Sequence, residues 1–376
     1  MLTPRNDILQ YNLALSLIPQ IGPGIYKNII SYSGSSKNFF LMPKGKAERI
    51  PGIGPKLLNL RNHLNEYLRL AEVIINDCLK NEVQIHTYLD QSYPSRLKGL
   101  SDSPVFLFSK GNINMNPSRT IGVVGTRNAS AYGKSITAKI VEELSPFGPT
   151  VISGLAYGID IEAHRAALQY DLPTLGILGT SMDNIYPSVH KSTAKSMMEK
   201  GGLVTEYRIG SEPNKANFPQ RNRIIAGLSD ALIIVEAALK GGALITAEIA
   251  YSYNKEVFAV PGNLQSKNSE GCNNLIRTMK AGIYMGAREI EEALSWHKSG
   301  ENPSPLSTSQ LDLAQFSQEE QTILRILMEN QAVEIDRLSW ISHISLSSLA
   351  SILLNLEFQG IIKSIPGKKY RMVCKS

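Results

Sequence analysis

The chain has 376 residues, of which 43% are hydrophobic and 19% are charged, a composition typical of a folded protein with more than one core. Its formal net charge of +6 favours an anionic partner, and a nucleic acid over a membrane surface. The three scattered cysteines form neither a disulfide framework nor a metal knuckle, and no apolar stretch is long enough to span a bilayer. We therefore expect a cytoplasmic protein without membrane insertion.

The first segment, residues 1–85, contains the same Ile-Gly-Pro turn twice, at 21–23 and at 53–55, each between helical stretches. Such turns resemble the helix-hairpin-helix module, whose exposed amides can hold a DNA phosphate without reading sequence. Lys27 and Lys56 follow the two turns, where a cation could assist. Two hairpins that simply pack against each other explain the pattern equally well, and both alternatives stay open.

Six short apolar runs alternate with helical segments over residues 86–296, which predicts βαβ units and a parallel sheet covered on both faces. The predicted strands are 121–125, 151–153, 174–179, 203–206, 231–236 and 257–260. The predicted helices are 133–144, 159–170, 190–199, 220–228, 243–253 and 273–281. We interpret residues 87–111 as a lead-in to this domain.

Small or polar residues follow each predicted strand, and the carboxyl ends of parallel strands lie on one edge, where doubly wound folds bind ligands. Gly125, Thr126 and Arg127 follow the first strand, and Ser153 and Gly154 end the second. We expect the amides of Gly125, Thr126 and Gly154 to hold phosphates and Arg127 to contact one. The pattern predicts a nucleotide or polynucleotide site at this edge.

Two cations stand near the start of the fourth predicted helix. Arg221 and Arg223 would oppose the helix dipole there, so their position suggests a nearby anion. An ion pair with Glu206 or Glu236 is the alternative. Phe218, just before them, suits either base stacking or a core position.

Asp160 and His164 lie one helical turn apart. We interpret them as a helix-start aspartate that orients a histidine. No third ligand accompanies them, so we expect no metal site.

Motifs along the whole central domain resemble, in order, those of the DNA-processing protein A family, DprA or Smf. The matching stretches are 125–127, 132–133, 153–160, 163–164, 186–187, 218–228, 244–247, 260–262 and 271–276. The resemblance implies an α/β fold with an extended Rossmann-like domain that can form a homodimer, a helical N-terminal domain of the helix-hairpin-helix or SAM-like kind, and a C-terminal winged helix. It also implies a non-enzymatic protein without a cofactor, which binds single-stranded DNA, protects incoming DNA and loads the RecA recombinase during natural transformation.

By this resemblance Arg127 is the foremost phosphate contact. The family also uses a basic position after the Tyr186-Pro187 pair, for which Lys191 is the nearest cation here. The expected nucleic-acid-binding residues are Gly125, Thr126, Arg127, Ser153, Gly154, Lys191, Phe218, Arg221, Asn222, Arg223, Gly241 and Gly242.

Two enzyme classes are the alternatives. A P-loop nucleotidase is suggested by the Gly-Lys-Ser at 133–135, but Asn128 stands where the phosphate loop needs glycine. A nucleotide phosphoribohydrolase of the lysine-decarboxylase-like family would use the glycines at 241–242 with Glu248 and Arg223. Release of free base from nucleoside monophosphates, lost in Glu248→Ala, would favour that enzyme.

The C-terminal sequence predicts a linker at 297–314 and a winged helix at 315–376, so the expected domains are 1–85, 86–296 and 315–376. Predicted helices at 318–328, 334–341 and 347–358 precede a hairpin with Lys363, Lys368, Lys369 and Arg371 in the wing. The third of these helices, the expected recognition helix, has no Lys or Arg. We therefore favour a protein-contact or weak DNA-backbone role for this domain.

Overall fold

The computed structural model describes residues 4–296, 313–330, 333–359, 361–365 and 369–372. Most of the expected linker, Lys368 of the wing and Cys374 lie outside these residues. Residues 1–296 and 297–376 form two separate compact units, and each is described by itself.

The first unit begins with a helical segment in which proline starts two helices after a glycine, as proline at the first helical position allows. Its helices are α1 Pro4–Leu17, α2 Pro23–Ser33, α3 Ser36–Leu41, α4 Lys44–Ala47, α5 Pro55–Arg61 and α6 Leu64–Lys80. Helix α2 ends at Gly34, whose φ of 77° is the left-handed conformation common after a helix.

The remainder of this unit alternates strands with helices. The strands are β1 Gln84–Thr87, β2 Phe106–Gly111, β3 Thr120–Val124, β4 Thr150–Ser153, β5 Thr174–Ile177, β6 Gly202–Thr205, β7 Ala231–Ile234, β8 Glu256–Ala259 and β9 Gly282–Ile283. The helices are α7 Ser95–Lys98, α8 Ala131–Leu144, α9 Ile159–Gln169, α10 Lys191–Met197, α11 Asn217–Leu228, α12 Gly242–Ser252, α13 Lys267–Arg277 and α14 Ala287–Leu294.

Within the described residues these strands form one nine-stranded sheet in the order β1-β2-β6-β5-β4-β3-β7-β8-β9. Strands β3 to β9 are mutually parallel, which confirms the predicted α/β architecture. The sheet is nevertheless mixed. Strand β2 pairs antiparallel with both β1 and β6, so the stretch interpreted as a lead-in contributes the strand next to the edge of the sheet and is part of the domain itself.

Burial of β3 explains why its sequence is apolar throughout. All five of its residues are buried. Ile121 and Val123 are fully inaccessible in the core on one face of the sheet, and Val124 belongs to the core on the other face. Each such side chain contributes about 1.5–3 kcal/mol relative to an exposed position. Helix α8, which follows, is capped by Ser130, whose Oγ accepts the amide of Gly133 at 3.0 Å.

The helical segment shares a core with the sheet. The ring of Tyr26 on α2 packs edge-on against Phe106 of β2, with 6.1 Å between centroids, and against Tyr88 at 6.0 Å. The boundary that we propose near residue 85 therefore separates two parts of one compact unit.

The second unit has the helix and strand order of a winged helix, as predicted. Its elements are α15 Gln318–Glu329, β10 Val333–Glu334, α16 Ile335–Ser342, α17 Leu346–Phe358, β11 Ile362–Ile365 and β12 Lys369–Met372. Strand β12 lies between β10 and β11, and a capping box of Ser317 and Glu320 starts α15. Leu338, Leu349 and Leu353 are fully buried at the centre of this unit.

In the part of the chain that the structure describes, no single helix is long and apolar enough to cross a membrane. Helices α16 and α17 reach that length and hydropathy only when they are taken together, across a bend of 110°.

Candidate nucleic-acid interface

A cleft of about 270 Å³ opens at the carboxyl ends of β3 and β7. The chain builds β4, β5 and β6 on one side of β3, and β7, β8 and β9 on the other. The cleft therefore lies at the point where the strand order reverses, which is where doubly wound sheets bind ligands. We call the group Arg127, Phe218 and Gly242 the mouth of the cleft, and the group Gly154, Asp160 and Arg221 its floor.

The loop after β3 is held rigidly by its backbone. The Thr126 amide donates to the Glu236 carbonyl at 2.7 Å, and the Thr126 carbonyl accepts the Ile159 amide at 3.2 Å. An ideal Cβ on Gly125 would lie 2.5 Å from Cγ1 of Ile159, so only glycine allows this approach. Since the Thr126 amide already has a partner, its expected role as a phosphate donor does not fit the structure.

This rigid loop presents Arg127 to solvent at the mouth. Among the described residues, none forms an ion pair or a hydrogen bond with its side chain. The guanidinium carbon lies 5.9 Å from the centroid of the Phe218 ring. The Phe218 ring in turn packs against the Tyr186 ring in a T-shaped arrangement, with 5.7 Å between the ring centroids. An ideal Cβ on Gly179 would lie 2.8 Å from the Phe218 ring, so this glycine makes room for it. A free cation beside aromatic rings suits a phosphate followed by a base.

The floor uses an arginine differently. Arg221 is 4% exposed, and its Nη1 donates to the carbonyls of Gly154 and Ile177, so it ties together the ends of β4 and β5. Ser153 is fully buried, and its Oγ donates to the Val123 carbonyl at 2.6 Å. The expectation that Ser153 faces a phosphate does not fit, because the Val123 carbonyl takes up its hydroxyl. Arg221 lines the cleft, but only its Nη1 donates to carbonyls, and its buried Nε has no partner among the described residues.

Asp160 supplies the negative charge beside Arg221. Burial raises the pKa of the Asp160 carboxyl, and the Arg221 guanidinium opposes that rise. Burial also lowers the pKa of Arg221 to about 10, which leaves it charged at neutral pH. A Cβ on Gly154 would collide with both side chains, so this glycine makes room for Arg221 and Asp160 beside each other under the cleft. Helix α11 begins at Asn217, so Arg221 and Arg223 lie in its second turn, and the helix-dipole argument for an anion beside them does not apply.

His164 is not oriented by Asp160, contrary to our interpretation. Its Nδ1 lies 2.7 Å from Oγ1 of Thr174, and the nearest amide partner of Asp160 is that of Ala156, at 3.4 Å. Burial lowers the pKa of His164 to about 3, so the imidazole is neutral at physiological pH. No group of three or more His, Cys, Asp or Glu residues placed to hold a metal occurs in the described ranges.

Arg223 forms a largely buried ion pair with Glu206, the alternative left open by the sequence. The two side chains are 16% and 15% exposed. Burial raises the pKa of Glu206, and Arg223 opposes that rise. Arg223 is therefore committed to its partner, whereas its neighbour Asn222 lines the cleft.

The start of α12 forms the opposite side of the mouth. The Gly241 amide donates to the Ala238 carbonyl at 2.9 Å, whereas Gly242 is exposed and has open space around its Cα. Helix α12 is 11 residues long. The Leu244 amide donates to the Gly241 carbonyl at 3.1 Å, so the amides of Gly242 and Ala243 are the ones that suit an anion in the cleft. Lys191 is exposed at the start of α10 but does not line the cleft.

The structure gives no support to either enzyme alternative. The amides of Gly133 and Lys134 donate to Oγ and O of Ser130, both at 3.0 Å, so this segment is ordinary helix rather than a phosphate loop. Glu248 pairs with Lys280 on the protein surface at 2.7 Å and does not line the cleft.

Several cleft residues were absent from the expected set. Asp160, Ile245 and Thr246 line the cleft but were not predicted as contacts. Ile245 and Thr246 could have been predicted from the sequence, because they closely follow the Gly241–Gly242 pair at the start of α12. Tyr186 is at the rim beside Phe218, and its only sequence signal is the Tyr-Pro pair.

Comparison with known proteins identifies the fold and the family. The model of the DNA recombination-mediator protein A family matches residues 84–295, and that of the DprA winged helix domain matches 303–368. The chain belongs to the DNA recombination-mediator protein A family. The assignment made from its motifs is thereby confirmed.

Relatives from several bacteria match most of the chain. Protein Smf of Escherichia coli is 36% identical, covering 74% of this chain and 75% of the relative, and Protein Smf of Synechocystis is 29% identical over 97% and 99%. The solved structure of DNA processing protein A from Streptococcus pneumoniae has a TM-score of 0.65 at 28% identity, covering 80% of this chain and all of that one. The Helicobacter pylori protein, whose title describes its single-stranded DNA binding mode, has a TM-score of 0.50 at 29% identity and covers 57% of this chain.

Proposed function

We propose that this chain binds single-stranded DNA in the cleft at the carboxyl ends of β3 and β7. The observation that carries the proposal is the unpaired Arg127 guanidinium held over the Phe218 ring at the mouth. A phosphate bound by Arg127 places the next base near that ring, and the first-turn amides of α12 face the same space. The solved Helicobacter pylori relative, described as binding single-stranded DNA, supports the same class of ligand.

The proposed contact set is narrower than the set predicted from the sequence. It keeps Arg127, Phe218, Asn222 and Gly242, which line the cleft. Lys191 lies outside the cleft, and we expect it to contact the part of the DNA strand that extends beyond the cleft. Contacts to phosphates and base faces do not distinguish one sequence from another, so binding is expected to be non-specific.

The test is fluorescence anisotropy with a labelled (dT)₃₀ oligonucleotide over a range of salt concentrations. Arg127→Ala should weaken binding about tenfold and flatten the slope of log affinity against log salt by about 0.7, as loss of one single-strand phosphate contact requires. Arg69→Ala is the matched control, because Arg69 is also exposed and unpaired in the described structure but lies on α6. Equal effects of the two variants would contradict the proposal.

We further propose that the bound strand is handed to the RecA recombinase, with protection of incoming DNA in natural transformation. The family assignment supports this role. We place the protein in the cytoplasm as a homodimer that acts by binding rather than catalysis. Assembly of RecA on single-stranded DNA covered by single-strand-binding protein should be faster with the wild type than with Arg127→Ala. Equal rates would contradict RecA loading from the cleft.

A further inference from the structure

The two Ile-Gly-Pro turns, which the proposed cleft site does not use, belong to hairpins that pack together. Helices α1 and α2 form the first hairpin, and α4 and α5 form the second. At Gly52 of the second turn, where φ is 89°, an ideal Cβ would lie 3.3 Å from Cγ1 of Ile25 in the first hairpin. Ile50 and Ile53 anchor the second turn in the shared core. The pair is therefore a rigid platform on which each turn has a fixed position.

Lys27, the cation of the first hairpin, forms hydrogen bonds with another part of the protein. Lys27 Nζ donates to the carbonyls of Leu100 and Ser101, at 3.1 and 3.2 Å, and to Oγ of Ser103 at 2.8 Å. Its partial burial lowers its pKa. This lysine links the helical segment to the loop before β2, so it is not free to bind a ligand.

The second hairpin keeps its cations on the surface. Five basic residues and one carboxylate lie between positions 44 and 61. Lys46, Arg49 and Lys56 are exposed, and none of them has an ion-pair or hydrogen-bonding partner through its side chain among the described residues. Glu48 lies 3.9 Å from Lys44, an exposed pair that contributes little. The segment that carries the second turn thus has three exposed positive charges without a partner among the described residues.

The backbone of this turn is also open. The amides of Gly52 and Gly54 donate no hydrogen bond to the described part of the chain, whereas the Ile53 amide between them donates to Ile50 O at 3.0 Å. Apart from the neighbouring residues of the chain, no atom lies within 4 Å of an ideal Cβ on Gly54, so the space beside this part of the turn is open.

We propose that Lys46, Arg49 and Lys56, with the open turn between them, form a second site for a polynucleotide backbone, separate from the cleft. The first hairpin supports this surface and does not itself bind. The chemistry requires a run of phosphates and is satisfied by a single strand or by a duplex, read without base specificity. A DNA molecule in the cleft would then have a second attachment through the helical segment.

Two matched double variants of the full chain test the proposal. Arg49→Ala/Lys56→Ala removes one arginine and one lysine from the surface. Arg69→Ala/Lys80→Ala removes the same charges from exposed positions of α6 whose side chains have no partner in the described structure. Affinity for a 30-nucleotide single strand and for a 30-base-pair duplex is measured by anisotropy at several salt concentrations, with thermal unfolding to verify the fold. Arg49→Gln/Lys56→Met, which preserves side-chain length, replaces the first variant if it unfolds at a lower temperature.

The Arg49/Lys56 variant should lose about tenfold in affinity, with the salt slope flattened by about 1.8 on duplex or about 1.4 on single strand, while the α6 variant stays within about twofold of wild type. Loss on only one of the two DNA forms identifies that form as the ligand. Equal losses in the two variants, or no loss on either form, overturn the second site. Arg127→Ala is measured in parallel, so that failure of the cleft proposal is recognised separately.

Discussion

The mouth and the floor of the cleft each contain an arginine, and the two side chains differ in what surrounds them. At the mouth, Arg127 is exposed, and its guanidinium carbon lies 5.9 Å from the centroid of the Phe218 ring. At the floor, Arg221 is buried, donates to two strand-end carbonyls and lies beside Asp160. The same guanidinium chemistry thus serves ligand binding in one place and the shape of the site in the other. Whether an arginine can bind a ligand therefore depends on whether the folded protein already supplies partners for its guanidinium.

The largest expected effect comes from Arg221→Ala. It leaves the Gly154 and Ile177 carbonyls without their donor and the buried Asp160 carboxyl without the guanidinium that opposes the rise in its pKa, and loss of such a buried charged group costs about 3–5 kcal/mol. Urea denaturation should show the free energy of unfolding reduced by that amount. Arg127→Ala should change it by less than about 0.5 kcal/mol, as is usual at exposed positions. Equal stability losses in the two variants would contradict the distinction between mouth and floor.

A pH effect should come from His164, which lies beneath the floor. Its folded pKa of about 3 is below its ordinary value of 6.5, so the unfolded chain binds a proton first as the pH falls. The free energy of unfolding should therefore decrease by about 1.4 kcal/mol for each pH unit below 6.5 from this group. The check is to measure unfolding at pH 7, 6 and 5 in wild type and His164→Gln. The same pH dependence in both proteins would show that His164 is not responsible.

The Phe218 ring should affect binding more than folding. Phe218→Ala should weaken single-strand affinity by about 1–3 kcal/mol, the range for loss of one stacked base, whereas Phe218→Tyr keeps an aromatic face and should bind nearly as wild type. Anisotropy titrations with (dT)₃₀ measure both variants. If the tyrosine variant were as weak as the alanine variant, the ring would matter for packing against Gly179 rather than for stacking.

Much of this organisation could be predicted from the sequence. The alternation of branched apolar runs with helices predicts β3 to β8, and the Arg127 position follows from a cation placed directly after a buried strand. Strands β1 and β2 were missed because prolines at 94 and 104 interrupt the stretch and only β2 is largely buried.

The hydrogen-bond and charge partners of individual polar groups could not be predicted, because these partners lie far away in the sequence. Helix α11 begins at Asn217, so Arg221 lies in its second turn rather than at its start, and the sequence does not show that Arg221 donates to two carbonyls beside Asp160. Likewise, the Thr126 amide is adjacent to the expected phosphate site in sequence, yet it donates to Glu236, a residue on another strand end. The pairing of Arg223 with Glu206 was foreseen only as an alternative.

The most direct test of the cleft is a crystal structure of the full chain with a short oligothymidylate. The account predicts a phosphate within hydrogen-bonding distance of the Arg127 guanidinium and a base against the Phe218 ring, with no direct contact between DNA and Arg221. A strand bound elsewhere, with the cleft at the carboxyl ends of β3 and β7 empty, would contradict it.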